Sequence, residues 1–426
     1  MKALTRSWGG RTLASGKVAA TLGKSAVKQA LGHADDGALG LELLDQLDRM
    51  KGLALKVGQM ASYLEGALPP ESARALEKLQ HRGDPMAWES VQAVLEGSLG
   101  APVGELFDAF DPEPVAAASI GQVHRATLEG RDVAVKVQFP GVRDTLAVDL
   151  GNLSRVGALA RFGFPDAAEV VAELRERFEA ECDYVGEARH TALAGRLLAD
   201  RPAVVVPDVV PSRSTDVVLT TSWVEGRSFR DFLESSTQEE RDRVGEELFR
   251  TAFDMLFGHG VFNADPHPGN LLFPADGRVA LLDWGCVCTY DAEFVEAWKA
   301  LARVTLDGRR EELAEVTARA GFFVPGTPFD LDAHWEIMQY LYRPFLTPGF
   351  RYTPEYVAES WRLFLVDNPN IRHTRLPRTW VFANRLQWGL NSVLASLGAT
   401  ADWGGMFRAA VETPLVPAGG PAADGE

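Results

Sequence analysis

Apolar residues recur at helical spacing from about Leu39 to Leu64, through Leu43, Leu47, Met50, Leu53, Val57, Met60 and Leu64. Pro69 and Pro70 end this element. A second helical stretch is predicted near Pro70–Gln80 and a third near Met86–Leu99, opened by Asp84-Pro85 and broken at Gly100-Ala101-Pro102. The pattern then shortens. Val115–Ala118, Gln122–Leu128 and Val133–Phe139 read as strands, with turns at Ser119–Gly121 and Glu129–Arg131. Helices are predicted near Val142–Ala160 and Ala167–Leu198, and β-rich segments at Pro202–Val210 and Asp216–Trp223. After Glu225-Gly226 the chain reads as helical: Thr237–Gly258, then Ala292 to about Ala410. A loop and a short strand at Val279–Leu282 interrupt it.

This order predicts an α+β protein with a small β-rich N-lobe and a helical C-lobe, the two-lobe architecture of a kinase, preceded by a helical extension. The expected divisions are a basic, flexible arm over 1–34 and the helical extension over 35–100. The N-lobe follows over 101–224, the C-lobe over 225–412, and a Pro/Gly/Ala-rich disordered tail over 413–426.

Composition narrows the classes. Of 426 residues, 46% are apolar and 24% charged, as in a soluble globular protein. The net charge of −16 argues against a nucleic-acid-binding body. Residues 1–34 nevertheless carry Lys2, Arg6, Arg11, Lys17, Lys24 and Lys28 and no acid, a charge of +6 that leaves −22 for the rest. That arm reads either as a solvated tail or as an amphipathic segment that touches anionic lipid. The chain has no run of about 18 apolar residues, so no transmembrane helix is expected. A cytoplasmic location is expected, with peripheral membrane attachment open through the arm. Cys182, Cys286 and Cys288 are odd in number and fit a reducing compartment. Cys286 and Cys288 alone are a weak metal signal.

The candidate chemistry lies in F-N-A-D-P-H-P-G-N and L-L-D-W-G, between Phe262 and Gly285. Asp265 and Asn270 are five apart in a loop stiffened by Pro266 and Pro268, and Asp283 follows the strand Val279–Leu282. These are the parts of a kinase catalytic centre. The first Asp orients or deprotonates a hydroxyl, and the Asn and second Asp hold magnesium on nucleotide phosphates. Lys136 in V-A-V-K-V is a lysine in an apolar strand, costly to bury unless paired. Otherwise it is an edge lysine pointing at solvent. Its carboxylate partner is expected on the following helix, which offers Glu181, Asp183 and Glu187, and helical spacing singles out none of them.

The strand–turn–strand that would cover a nucleotide reads P-V-A-A-A-S-I-G-Q-V-H. Ala116, Ala117 and Ala118 stand where glycines would let backbone amides approach phosphates, and only Gly121 remains. Ser119 and Gln122 belong to the same candidate nucleotide-contacting loop. Ser222, Trp223 and Val224 end a strand in the position of a hinge that holds adenine, and an ordinary strand end explains any one of them equally well. Lys56 and Gln59 in L-K-V-G-Q-M share a helix face, and Gly58 between them costs about 1 kcal/mol relative to alanine, which suggests a close approach.

Together these segments resemble the UbiB/AarF-domain atypical kinases, in particular the coenzyme Q branch, over roughly Leu39 to Ala409. The specific marks are K-x-G-Q at Lys56–Gln59 and A-A-A-S-I-G-Q at Ala116–Gln122. V-A-V-K at Val133–Lys136, E-x-D at Glu181–Asp183, the catalytic loop and D-x-G at Asp283–Gly285 accompany them. The resemblance implies that Lys136 pairs with Glu187, that Asp265 holds the base position, and that Asn270 and Asp283 bind Mg2+. It also implies that Lys56 and Gln59 meet Glu181 and Asp183 across the place where a peptide substrate would bind. The implied activity is magnesium-dependent use of ATP (or ADP), by hydrolysis or transfer to a small molecule, in ubiquinone or related lipid metabolism. The implied partners are a nucleotide, an isoprenoid-quinone precursor or lipid, and a membrane surface, with no nucleic acid. Trp284 departs from the usual Phe, Ser222 and Trp223 from the usual acidic–apolar hinge pair, and Asn263 from the His of many protein kinases. Two other readings stay open: a small-molecule phosphotransferase of the antibiotic-kinase sort, and a nucleotide-sensing pseudokinase scaffold.

Overall fold

The computed structural model describes residues 86–117, 120–143, 179–323, 326–371 and 378–418. Lys56, Gln59, Ala118 and Ser119 lie outside the described residues. The chain divides into two units, each described by itself. Through the described residues, one runs to Arg189 and takes in Asp208–Trp223; the other comprises His190–Pro207 and Val224 onward.

The first unit begins with helix α1, Trp88–Leu99, closed by Gly100 at φ 79°. Strands β1 (Ala109–Phe110), β2 (Ala116–Ala117), β3 (Gly121–Leu128) and β4 (Arg131–Gln138) follow. Helix α2 (Tyr184–Leu197) contributes Tyr184–Arg189 to this unit. Strand β6 (Val218–Ser222) completes an antiparallel sheet in the order β1-β3-β4-β6, with β2 beside β3. The Glu129-Gly130 turn joins β3 to β4 with positive φ at both residues, the geometry that matches strand twist in a two-residue hairpin. Along β4, Val133, Val135 and Val137 are buried at period two and pack with Val91 and Leu95 of α1. Lys136 and Ala134 therefore point to the opposite face. Helix α1, expected in the extension, thus belongs to the core of the β-rich unit, because its i, i+4 apolar pair needs the sheet to cover it.

The helix expected over Ala167–Leu198 is interrupted where it is described. Cys182 and Asp183 break it, and α2 starts afresh at Tyr184. The Asp183 carboxylate accepts from Gly186 N at 2.9 Å, an N-terminal cap.

The second unit takes in residues 190–207, expected within the N-lobe. The reason is pairing and packing. Strand β5 (Val204–Val205) runs parallel to β10 (Val279–Leu281), and Ala194 and Leu198 enter the helical core. β10 pairs with β9 (Leu271–Phe273), which pairs with β7 (Arg227–Ser228). A separate ribbon joins β8 (Val261–Asn263) to β11 (Val287–Thr289). Helix α3 is Phe229–Ser235, and the long α4, Gln238–His259, opens with a capping box between Thr237 and Glu240. Helices α5 (Ala292–Leu306), α6 (Leu331–Leu341), α7 (Pro354–Trp361), α8 (Arg378–Leu397) and α9 (Trp403–Glu412) follow. Phe249, Phe253 and Phe257 on one face of α4 meet Phe407 of α9, which stacks on Phe345 at 4.0 Å.

The expected disordered tail is partly ordered. Val416 N donates to Gly258 O at 2.7 Å, and Ala418 N donates to His259 O at 3.2 Å. The last carbonyls of α4 lack partners inside the helix, and the tail supplies them. Thr413 O accepts from the buried Lys299 Nζ at 2.7 Å. No helix among the described residues is long and apolar enough to cross a membrane.

Candidate active site

In the β-rich unit, Lys136 Nζ lies 2.8 Å from Glu187 Oε1 and 2.9 Å from Oε2. Glu187 is 4% exposed and the Lys136 side chain 18%. Strand β4 turns Lys136 away from the valine core, and the restart of α2 at Tyr184 sets Glu187 in the first turn of a new helix. The ammonium also stands 5.0 Å from the centre of the buried Tyr184 ring. Of the three acids offered by the sequence, Glu187 meets Lys136. Asp183 caps the helix and lies 4.0 Å from Arg189 Nη2.

The rest of the expected nucleotide-contacting set is built differently. Ala116 and Ala117 are exposed on β2, in register with Val123 and Gln122. Gln122 is buried: its Oε1 accepts from Met86 N at 2.7 Å and its Nε2 lies 2.8 Å from His124 Nε2. Its amide therefore ties α1's approach to the sheet interior, with both its oxygen and its nitrogen engaged within the protein. Gly121 has a cause unrelated to phosphates. A Cβ there would collide with the backbone carbonyl of Val137 across the hairpin. Ser222 exchanges backbone and side-chain hydrogen bonds with Asp208 at 2.8 and 2.9 Å. Trp223 N donates to Asp132 O at 3.1 Å, and the Arg125 guanidinium covers the Trp223 ring at 4.9 Å. Val224 begins the other unit.

In the helical unit, the catalytic loop hangs between β8 and β9, and Asp283 follows β10. Two antiparallel pairings hold these segments together, since β9 pairs with β10 and β8 with β11. Asn263 braces them. Its Nδ2 donates to Asp283 O at 2.6 Å, and its Oδ1 accepts from Asp265 N at 3.0 Å. Asn270 N accepts a place in the turn by donating to His267 O at 2.9 Å, while its O receives Leu282 N at 3.0 Å. Its side-chain Nδ2 points at Asp265 O, 3.5 Å away, which turns the amide oxygen to the other side. His267 Nδ1 caps the short turn Pro268–Asn270 by accepting from Gly269 N at 3.0 Å. Asp283 Oδ1 accepts from Gly285 N at 2.8 Å. Trp284 is buried and donates to Leu281 O at 3.1 Å, so the larger aromatic is anchored by its indole N–H.

An amide oxygen and a carboxylate are hard donors of the kind that hold Mg2+ together with phosphate oxygens, so Asn270 and Asp283 fit that ion. The roles of Asn263 and His267 went unread in the sequence. The available signal was an Asn two residues before Asp265 and a His two before Gly269, the spacing at which such side chains bond the backbone.

A β-rich unit with a strand lysine paired to a helix glutamate, and a helical unit with an Asp–Asn loop followed by Asp-aromatic-Gly, define a protein-kinase-like fold. The chain belongs to the ABC1 atypical kinase-like family, whose model matches residues 78–317. These are the UbiB/AarF-domain kinases that its motifs resemble. The Caenorhabditis elegans protein named atypical kinase coq-8, mitochondrial, is 31% identical over 375 residues, 85% of this chain and 49% of that protein. The Saccharomyces cerevisiae protein named atypical kinase COQ8, mitochondrial, is 29% identical over 379 residues, 86% of this chain and 75% of that one. The chain thus spans about half the length of the nematode relative. A solved structure of Mycobacterium tuberculosis Rv3197 in complex with erythromycin matches at TM-score 0.64 and 30% identity, covering 91% of this chain and 96% of that one.

Proposed function

We propose that this protein binds a magnesium-nucleotide and acts as an atypical kinase or ATPase in ubiquinone or related lipid metabolism. The observation that carries the reading is the two-pronged Lys136–Glu187 pair. A largely buried ammonium in a strand is costly to desolvate, and a carboxylate clamp that fixes it is the arrangement kinases use to steer phosphates. In this reading Lys136 holds phosphate oxygens, and Asp265 orients the attacking hydroxyl or water and accepts its proton. Asn270 and Asp283 hold the magnesium, which supplies neutralisation of phosphate charge. Lys56 and Gln59 are read with Glu181 and Asp183 as a restraint on protein substrates. The names of the coq-8 and COQ8 relatives support the quinone-pathway assignment.

The test is calorimetric titration of the full chain with ADP, with and without magnesium. Magnesium-dependent binding that Asp283→Asn abolishes is expected, and intact affinity in that variant would sink the assignment of Asp283. A second reading, transfer to a soluble small molecule, is favoured by the likeness to a protein solved with erythromycin. Rapid stoichiometric phosphorylation of such an alcohol, unaffected by anionic vesicles, would select it.

A further inference from the structure

Helices α4 and α8 do not fill the space between them. A cavity of about 70 Å³ remains, bordered at one side by Asp265, Asn270 and Asp283. Leu248, Ala252 and Met255 line it from α4, and Leu386, Leu390 and Val393 from α8. Both sets follow the i, i+4, i+7 spacing of a single helix face. Such stripes ordinarily interdigitate and leave few voids. Here α8 is set by another contact: it comes down on the catalytic loop at Gly389, where a Cβ would lie 2.6 Å from Pro266 Cγ.

One wall residue breaks the apolar pattern. Thr251, 4% exposed, lines the cavity from α4, and its Oγ1 has no hydrogen-bond partner among the described residues. A helical threonine commonly satisfies itself on the carbonyl one turn back. A buried hydroxyl left without a partner is costly, which makes it the natural seat for a ligand's polar atom. Among the described lining residues of α4 and α8 Thr251 carries the one hydroxyl, and the other polar side chains of the wall, Asn263, Asp265, His267, Asn270 and Asp283, belong to the catalytic-loop side.

We propose that this cavity binds the apolar part of a small amphipathic molecule carrying a single oxygen, an alcohol, phenol or ketone, with Thr251 Oγ1 hydrogen-bonding that oxygen. The volume is about half that of an engineered cavity of about 150 Å³ that holds benzene, so the enclosed part takes a short chain or a ring edge. The remainder of a longer molecule extends past Asp265. Occupancy needs no nucleotide, so the site goes beyond the function proposed above.

The experiment is a ligand-observed NMR titration of the full chain with 1-pentanol, with 1-chloropentane as the partner lacking a hydroxyl. Saturable binding of both is expected. Ala252→Leu, which fills the cavity, should weaken both about ten-fold or more while magnesium-ADP affinity stays within about two-fold. Thr251→Val keeps the shape, and should weaken the alcohol about five-fold and leave the chloride unchanged, the ratio of one neutral hydrogen bond. Should Ala252→Leu fail to give a cooperative melt, Leu390→Phe fills the same space from α8 with the same expectation. No saturable binding to the wild-type chain, or equal binding by the filled variants, overturns the proposal. Equal loss of both probes in Thr251→Val overturns the role of the hydroxyl. Alcohol binding by a chain that fails to take up magnesium-ADP supports the cavity and counts against the nucleotide reading alone.

Discussion

The side-chain amide of Asn263 donates to the backbone carbonyl of Asp283 at 2.6 Å. Its oxygen accepts from Asp265 N, so one side chain ties Asp265 to Asp283, the residues proposed as base and metal ligand. Asn263→Ala removes both bonds, each contributing about 0.5–1.5 kcal/mol, and frees the two segments to drift. Because small displacements at a reacting centre are amplified in rate, nucleotide turnover should fall about 10- to 100-fold, with a smaller change in KM. Steady-state ATP hydrolysis by the two proteins checks this. An unchanged kcat would show that the strand pairings alone set the geometry.

The Lys136–Glu187 pair should show strong coupling in a double-mutant cycle. Lys136→Met leaves a carboxylate that is 4% exposed without this ammonium, and Glu187→Leu takes the carboxylate from the ammonium. Breaking one side of a buried pair typically costs about 3–5 kcal/mol, while replacing both by apolar groups is far milder. Urea denaturation of Lys136→Met, Glu187→Leu and the double variant should give a double far less destabilised than the sum of the singles. Additive losses would mean the pair contributes little beyond its separate contacts.

Two glycine-to-alanine changes should move stability in opposite directions. Gly97 lies within α1 with nothing inside 4 Å of an added Cβ, so Gly97→Ala should stabilise by about 0.5–1 kcal/mol through helix propensity. Gly389→Ala gains the same propensity but drives a methyl against Pro266 at 2.6 Å, an overpacking cost of about 1–3 kcal/mol. Thermal melts should rank Gly97→Ala above wild type and Gly389→Ala below it. ATP turnover should fall in Gly389→Ala alone, because Pro266 adjoins Asp265.

Acid should destabilise the helical unit through His334 of α6. Burial among Phe322 and Phe329 pushes its imidazole pKa down from 6.5 to about 4, and its Nε2 has no partner among the described residues. Below about pH 6.5 the unfolded chain takes up a proton that the folded chain refuses. Stability therefore falls as pH drops from 6.5 towards 4, by about 3 kcal/mol at most from this group. Denaturant midpoints across that window should slope less steeply for His334→Leu, and parallel slopes would exclude His334 as a source.

What could be read in advance follows the range of the forces involved. The hairpin of β3 and β4 and the helix of α4 rest on periodicity and turn residues within a few positions. The roles proposed for Asp265, Asn270 and Asp283 rest on residue type at short spacing, which phosphate chemistry constrains. The partners of Gln122 were not legible, because nothing near it in the chain announces that Met86 and His124 take its amide. Residues 413–418 were misread as disordered for the same reason: composition does not reveal that the end of α4 offers them acceptors.

The sequence by itself determined the β-then-helical order of elements and the family, and singled out the candidate catalytic loop, all carried by local pattern and motif. Helical spacing left three acids open for Lys136 and the family motif pointed to Glu187, 51 residues away, but only the tertiary structure brings that carboxylate against the ammonium. It likewise decided that Gly121 answers to Val137, that Asn263 ties Asp265 to Asp283, and that a cavity stays open beside Thr251. Each depends on how distant surfaces fit at atomic range, which short-range pattern does not specify.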